Sequence, residues 1–149
     1  MTATAHAVLG TVIAAKVGNP SLAIPLAIAS HIAADMFPHW DTATNARQKG
    51  KKRAIIDSFI DLIFGFLLSY AIIFFIFPST NLLYVLFLIL VSQSLDWLML
   101  PYYFFRINFP LFKWAYRFQK SFNHSLDKTW SIINKKEVIV FIEILAKVF

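Results

Sequence analysis

Apolar residues in this chain occur in four long runs that are separated by short polar segments. The first two runs cover 4–16 and 21–37, and Ser21 is expected to cap the second helix. Each is shorter than the roughly 20 residues that a helix needs to cross a bilayer. We therefore predict that 1–37 forms a tilted or re-entrant helical hairpin, which protein must partly shield from lipid.

The next two runs, 54–77 and 82–105, have the length and apolarity of membrane-spanning helices. The turn between them, 78–81, carries no charge. Pro101 is expected to kink the last turn of the second span, because proline removes a backbone donor and clashes with the preceding turn.

The character of the sequence changes after Arg106. Residues 109–122 mix aromatic with basic side chains, which is typical of an amphipathic helix at a membrane interface. The final run, 138–149, is too short to span and should lie on the membrane or pack against the bundle. The chain, 1–149, is thus predicted to be one all-α integral membrane domain, whose region 106–149 is interfacial.

Composition and charge agree with a membrane protein. Hydrophobic residues make up 58% of the chain and charged residues 15%, against about 25% charged in soluble domains. Five of the 14 basic residues lie in 47–53, and 78–81 has none. This distribution favours a multi-pass protein of the cell membrane over a nucleic-acid-binding protein, with the basic loop and the C-terminus in the cytoplasm. The expected partner is the lipid bilayer, and homo-oligomerisation stays open.

One apolar segment also concentrates ionisable groups. His31, Asp35 and His39 follow one another at i, i+4 spacing, so a helix would place them on one face, and Asp41 follows just beyond. Burying several ionisable groups is costly unless something neutralises them, as a divalent cation does. Because the chain has no cysteine, the ligands must be His and acidic residues. Zinc is favoured, with manganese, iron or magnesium as alternatives.

Four further groups map to the same cytoplasmic third of the predicted topology: His6, Asp57, Asp61 and Asp96. We therefore predict one shared site, in which His6 and Asp61 complete the ligand set begun by the i, i+4 residues. Asp57 or Asp41 would serve as general base or would orient a ligand imidazole.

These residues could also have roles that involve no metal. The ionisable segment could be an interfacial cluster that water hydrates. Asp57 could be an acid that the helix dipole favours near a helix N-terminus. Asp96, whose expected partner is Ser92, Gln93 or a cation, could instead form only a structural hydrogen bond between helices.

Three short motifs resemble the membrane-bound metal-dependent hydrolases of the LexA-regulated type: Thr4-Ala-His6-x3-Gly10, Ser30-His31-x3-Asp35 and Phe122-Asn-His124-Ser125-Leu126. The stretch His31-x3-Asp35-x2-Pro38-His39 also resembles the metal-binding helix of the zinc-dependent phospholipase C and single-strand nuclease superfamily. The resemblance implies metal ligands at these positions: His6, His31, Asp35, His39 and His124.

The function that these features favour is metal-dependent hydrolysis of a phosphoester in a lipid or other amphiphile at the cytoplasmic interface. Two other classes stay open. One is a metal- or proton-coupled transporter, in which Asp61 and Asp96 would line a path. The other is a noncatalytic membrane protein in which the metal only staples the helices together.

The predicted topology is testable because the chain lacks cysteine. Lys49→Cys should react with a membrane-impermeant maleimide from the cytoplasmic side, and Thr80→Cys should react from the outside, since basic loops stay in the cytoplasm. Labelling is measured in intact cells and in inverted vesicles. Reaction of both positions from one side would rule out two antiparallel spans.

Overall fold

The structure is a computed structural model that describes residues 1–39, 42 and 49–123. Over these residues it is all-α and without strands, which confirms the predicted fold class at that level. Six helices lie in the described ranges: α1 (Ala3–Lys16), α2 (Pro20–Met36), α3 (Lys51–Ile76), α4 (Leu82–Ser92), α5 (Ser94–Phe105) and α6 (Pro110–Phe122). The predicted final run, 138–149, lies outside the described residues.

The predicted N-terminal hairpin is present as α1 and α2, which pack against each other. Asn19 caps α2, because its side-chain oxygen accepts a hydrogen bond from the backbone N–H of Ser21 at 3.0 Å. Pro20 takes the first helical position, where the missing N–H needs no intrahelical acceptor. The prediction of Ser21 as the cap is therefore wrong, since the Asn-Pro pair supplies both the acceptor and the backbone angle.

Helix α1 lies at the centre of the bundle, where it packs against α2, α3 and α4. A Cβ atom added to Gly10 would lie 2.7 Å from the Leu88 carbonyl oxygen of α4. One added to Gly65 of α3 would lie 2.9 Å from Cα of Thr4. Both are contacts with backbone atoms that no side-chain rotation relieves. This close packing fixes the first two turns of α1, which carry His6.

The carboxylate of Asp61 attaches the start of α1 to α3. Its oxygens accept hydrogen bonds from the backbone N–H groups of Ala3 at 2.7 Å and of Thr4 at 3.4 Å. The Thr4 hydroxyl donates to the same carboxylate at 2.6 Å. The first N–H groups of a helix lack intrahelical acceptors, and the helix dipole favours a negative charge beside them. Asp61 is thus a capping group that a neighbouring helix supplies.

The second predicted span is divided into α4 and α5, which meet at Gln93 with a bend of 48°. Pro101, where a kink is predicted, lies within α5, eight residues after this break, and the kink there stays a prediction. At the bend, the Ser92 carbonyl accepts a hydrogen bond from the His31 ring, and the Gln93 side chain donates to the Ala3 carbonyl at 2.9 Å. Side chains that insert at a helix in this way bend it.

Helix α3 is long and apolar enough to cross a membrane, and the bent pair α4–α5 would make a second crossing if it counts as one span. Only 17% of the most apolar stretch of α3 is buried, whereas the core helix of a soluble protein would be mostly enclosed. Helix α6 is amphipathic, because Trp114, Phe118 and Phe122 recur at i, i+4 spacing on one face. Trp114 and Phe118 are exposed, whereas Ala115 and Gln119 are buried. The buried side of α6 packs mainly against α5.

The close approach of α1 to α4 gives a prediction about stability. Gly10→Ala should lower the free energy of unfolding by about 1–3 kcal/mol, the usual cost of overpacking, because the added methyl group meets a backbone carbonyl. Gly18→Ala is the matched control, since a Cβ there meets nothing within 4 Å. Thermal unfolding in detergent compares the two. Equal melting temperatures for the two variants would contradict the close approach.

Candidate metal centre

Four ionisable side chains from three helices converge at one end of the bundle, and we call them the His/Asp cluster: His6 of α1, His31 and Asp35 of α2, and Asp96 of α5. The first three are buried, and the Asp96 side chain is 30% exposed. The i, i+4 spacing predicts that His31 and Asp35 share a helix face. The tertiary fold then adds His6 and Asp96.

The functional atoms of the His/Asp cluster lie close together. His6 Nε2 is 3.3 Å from Asp35 Oδ1 and 4.0 Å from Asp96 Oδ2, and His31 Nε2 is 3.5 Å from Asp35 Oδ2. The two imidazole rings stack with their centroids 3.9 Å apart. One ligand atom each from His6, His31 and Asp96 lies within 4.8 Å of the other two. This group could therefore hold a metal ion.

The His6 ring is buried; its Nε2 lies 3.3 Å from Asp35 Oδ1, whereas its Nδ1 has no hydrogen-bond partner among the described residues. A buried polar group without a partner costs roughly 1–3 kcal/mol, so such groups are rare in folded proteins. Coordination of a metal through one ring nitrogen would remove part of this cost. The buried imidazole is thus compatible with a cation at this place.

His31 is held in the orientation that metal-ligating histidines usually show. Its Nδ1 donates a hydrogen bond to the Ser92 carbonyl at 2.7 Å, which leaves Nε2 as an acceptor facing the carboxylates. Burial and the neighbouring His6 lower the pKa of His31, against the opposing effect of Asp96 and Asp35. A neutral Nε2 and Asp35 Oδ2 are both acceptors and lie 3.5 Å apart. The side-chain nitrogen of Gln119 is within hydrogen-bond distance of both, at 3.4 Å and 3.3 Å.

Asp35 is fully buried and has several partners. Burial alone would raise the pKa of Asp35, but the His6 ring and the amino group of Met1 outweigh it and hold that pKa below the usual range. The amino group of Met1 contacts both this carboxylate and His39. Asn123 donates to Asp35 Oδ2 at 3.1 Å. Asp35 is therefore an ionised carboxylate at neutral pH, which is the form that binds metals.

Gln119 of α6 is a site residue that none of the sequence motifs marks. Its side-chain nitrogen donates to Asp96 Oδ1 at 2.6 Å and lies 3.3 Å from Asp35 Oδ2. The side chain is buried within a helix that otherwise has an interfacial composition. Its only sequence signal is the i, i+4 relation to Ala115, which places both residues on the face that packs inward. Asp96 thus pairs with Gln119, whereas Ser92 and Gln93 bond to the backbone of α1.

The structure brings some of the other predicted residues to the cluster and leaves others apart. His39 is at its edge, with Nε2 3.7 Å from Asp35 Oδ1. The carboxylate of Asp61 caps α1 instead. Asp57 pairs with Arg53 at 2.9 Å and with Lys49 at 3.8 Å. Two further predicted site residues lie outside the described part of the chain: Asp41 and His124.

Comparison of this chain with protein-family models, with curated proteins and with solved structures finds no match. The function is therefore inferred from the geometry of the site and from the sequence motifs alone.

The cluster predicts which side chains a metal requires. His6→Gln and Asp96→Asn should each weaken zinc binding by about 10–100-fold or more, because each removes a donor or a charge at the site. Asp57→Asn removes the same charge outside the cluster and should leave the zinc affinity unchanged. Elemental analysis and competition with a chromophoric chelator give the affinities, and circular dichroism checks the fold. Wild-type affinity in both cluster variants would contradict the site.

Proposed function

We propose that this protein is a membrane-bound hydrolase that uses a metal ion at the His/Asp cluster to cleave a phosphoester of a lipid or other amphiphile at the cytoplasmic interface. Support comes from the buried donor set, from the exposed apolar surface of α3, and from the motifs that resemble membrane-bound metal-dependent hydrolases. Zinc is the favoured ion, since histidine and carboxylate donors suit it.

The observation that carries the proposal is that the cluster is open on one side. Asp96 lines a cavity of about 330 Å³ and is the one cluster residue whose side chain is partly exposed. Structural zinc sites are enclosed by four protein ligands, whereas catalytic sites keep a position for water or substrate. An open side that leads into a cavity favours a site where a substrate can reach the metal.

The residues of the cluster have distinct parts in this proposal. His6, His31 and Asp96 would hold the ion, and Asp35 adds a buried negative charge beside them. A divalent ion held there would lower the pKa of a bound water and neutralise charge on the phosphoryl group. Gln119 fixes the Asp96 carboxylate through its 2.6 Å hydrogen bond.

Asp57, one of the two predicted general bases, is engaged by Arg53, which makes it a poor choice for that role. Asp41 stays a prediction from the sequence.

A structural metal site is the second candidate, because the His/Asp cluster joins α1, α2 and α5, and Gln119 adds α6. A metal at this point would tie four helices together. In that case the chain should lose its fold, rather than only its activity, when the metal is removed.

The test uses zinc-loaded protein in phosphatidylcholine nanodiscs with chromogenic p-nitrophenyl phosphodiesters as substrates. Asp96→Asn should lower kcat/KM by about 100-fold or more while the protein keeps its helical circular dichroism, because one donor and one charge are lost at the ion. A chelator should abolish turnover, and added zinc should restore it. Unfolding on chelation without any turnover beforehand would favour the structural site and contradict the hydrolase.

A further inference from the structure

The cavity beside the cluster has walls of apolar side chains from two helices. It lies between α3 and α5, and its apolar lining includes Ile55, Phe59 and Leu62 of α3 and Trp97, Leu100 and Phe104 of α5. Its volume of about 330 Å³ is at the lower end of the range for small-molecule sites, which are mostly apolar with a few placed polar groups. The size and lining suit a narrow hydrocarbon group.

The polar lining of the cavity belongs largely to the cluster end. Asp96 is part of the His/Asp cluster, and Asn123 donates a hydrogen bond to Asp35. Two hydroxyl groups elsewhere on the wall, those of Thr42 and Ser58, hydrogen-bond to each other at 3.3 Å. The cavity therefore joins a polar, metal-binding end to an apolar chamber, which is the chemistry of an amphiphile.

The apolar walls are also exposed at the outer surface of the bundle. Phe59 is 60% exposed and Trp97 is 42% exposed, although both line the cavity. Since α3 is the helix most suited to contact lipid, a chain could enter sideways from the bilayer. The Lys51 ammonium lies 5.6 Å from the ring centre of Phe105, another wall residue, so a positive charge stands near the cavity. This charge lies about 13 Å along α5 from Asp96, where it would attract an anionic amphiphile towards the cavity.

We propose that the cavity between α3 and α5 binds the single hydrocarbon chain of an anionic amphiphile, whose phosphate headgroup faces the His/Asp cluster. The identity of the headgroup rests on the proposed function. Binding of the hydrocarbon chain in the cavity, which we call the chain site, does not require turnover. For a short chain that comes from water, each methylene buried contributes about 0.8 kcal/mol, which is about a fourfold gain in affinity. The gain should stop when the chain fills the cavity.

The binding test uses a hexylphosphonate that carries a diazirine at the end of its chain, with zinc-loaded protein in phosphatidylcholine nanodiscs. After photolysis, mass spectrometry should find the label on the cavity walls, and unlabelled hexylphosphonate should compete where methylphosphonate does not. Leu62→Trp fills the cavity and should reduce labelling by about tenfold, since a bulky ring takes the space of the chain. Leu67→Trp is the matched control, because Leu67 is on the same helix, is 66% exposed and does not line the cavity.

Two results would overturn the chain site. One is labelling that spreads over the exposed face of α3 and is equal in the two variants, as expected for bulk lipid contact. The other is a lack of labelling together with a dimer in solution that Leu62→Trp disrupts, which would assign the cavity to a second copy of the chain. Zinc content and circular dichroism confirm the fold of each variant. If Leu62→Trp does not fold, Leu100→Trp narrows the cavity from the opposite wall.

Turnover separates the chain site from the proposed function. Alkyl p-nitrophenyl phosphodiesters from methyl to hexyl should show kcat/KM rising with chain length, and Leu62→Trp should flatten this rise, whereas Leu67→Trp, outside the cavity, should leave the whole series unchanged. Cavity labelling without hydrolysis of any ester would support the chain site and contradict the hydrolase. Hydrolysis that is equal for all chain lengths, without labelling, would support the hydrolase and contradict the chain site.

Discussion

The burial of an ionised carboxylate, that of Asp35, inside an apolar helical bundle is the constraint on which the rest of the structure depends. An isolated buried charge costs several kcal/mol, so the surrounding helices must supply partners for it. Besides the amino group of Met1 and the amide of Asn123, three helices supply partners within 3.5 Å of this carboxylate. These are the rings of His6 and His31, from α1 and α2, and the amide of Gln119, from α6. Because these partners are far apart in sequence, the carboxylate determines which helix ends must meet.

The position of α1 makes this meeting possible. Gly10 lets its backbone approach α4, while Asp61 holds its first turn on α3. The Ser92 hydroxyl donates to the His6 carbonyl at 2.8 Å, and the Ser92 carbonyl accepts from His31. One residue at the bend between α4 and α5 thus aligns both histidines, so the bend contributes directly to the geometry of the site.

Much of the fold can be predicted because it follows from hydrophobic periodicity and run length. The helical hairpin, the long apolar α3 and the amphipathic α6 are all visible as patterns within single segments. The pairing of His31 with Asp35 is visible for the same reason, since both lie on one helix face. The contacts that link separate segments are not visible in this way. Asp61 lies at the same depth along its predicted span as the predicted metal ligands, and for that reason the sequence predicts Asp61 as a ligand. Depth along a helix does not show which neighbouring helix a side chain faces.

The break at Gln93 and the role of Gln119 escape prediction for a related physical reason. Gln is a good helix former and carries no local signal for a bend. The bend here depends on hydrogen bonds to other helices, from the His31 ring of α2 and to the Ala3 carbonyl of α1. Pro101, by contrast, carries a strong local signal, yet α5 accommodates it. Local propensity is therefore the weaker influence wherever a buried polar group needs a partner from another helix.

The contact of α6 with the cluster ties two distant surfaces together. The same helix exposes Trp114 and Phe118 outward and presents Gln119 inward to Asp96. A ligand that binds more tightly when Gln119 is in place must, by thermodynamic reciprocity, hold α6 against the bundle by the same free energy. Anything that draws the aromatic face of α6 away would weaken that ligand equally. Binding of a ligand at the His/Asp cluster and packing of α6 against the bundle are thus coupled, so a measurement of either one reports on the other.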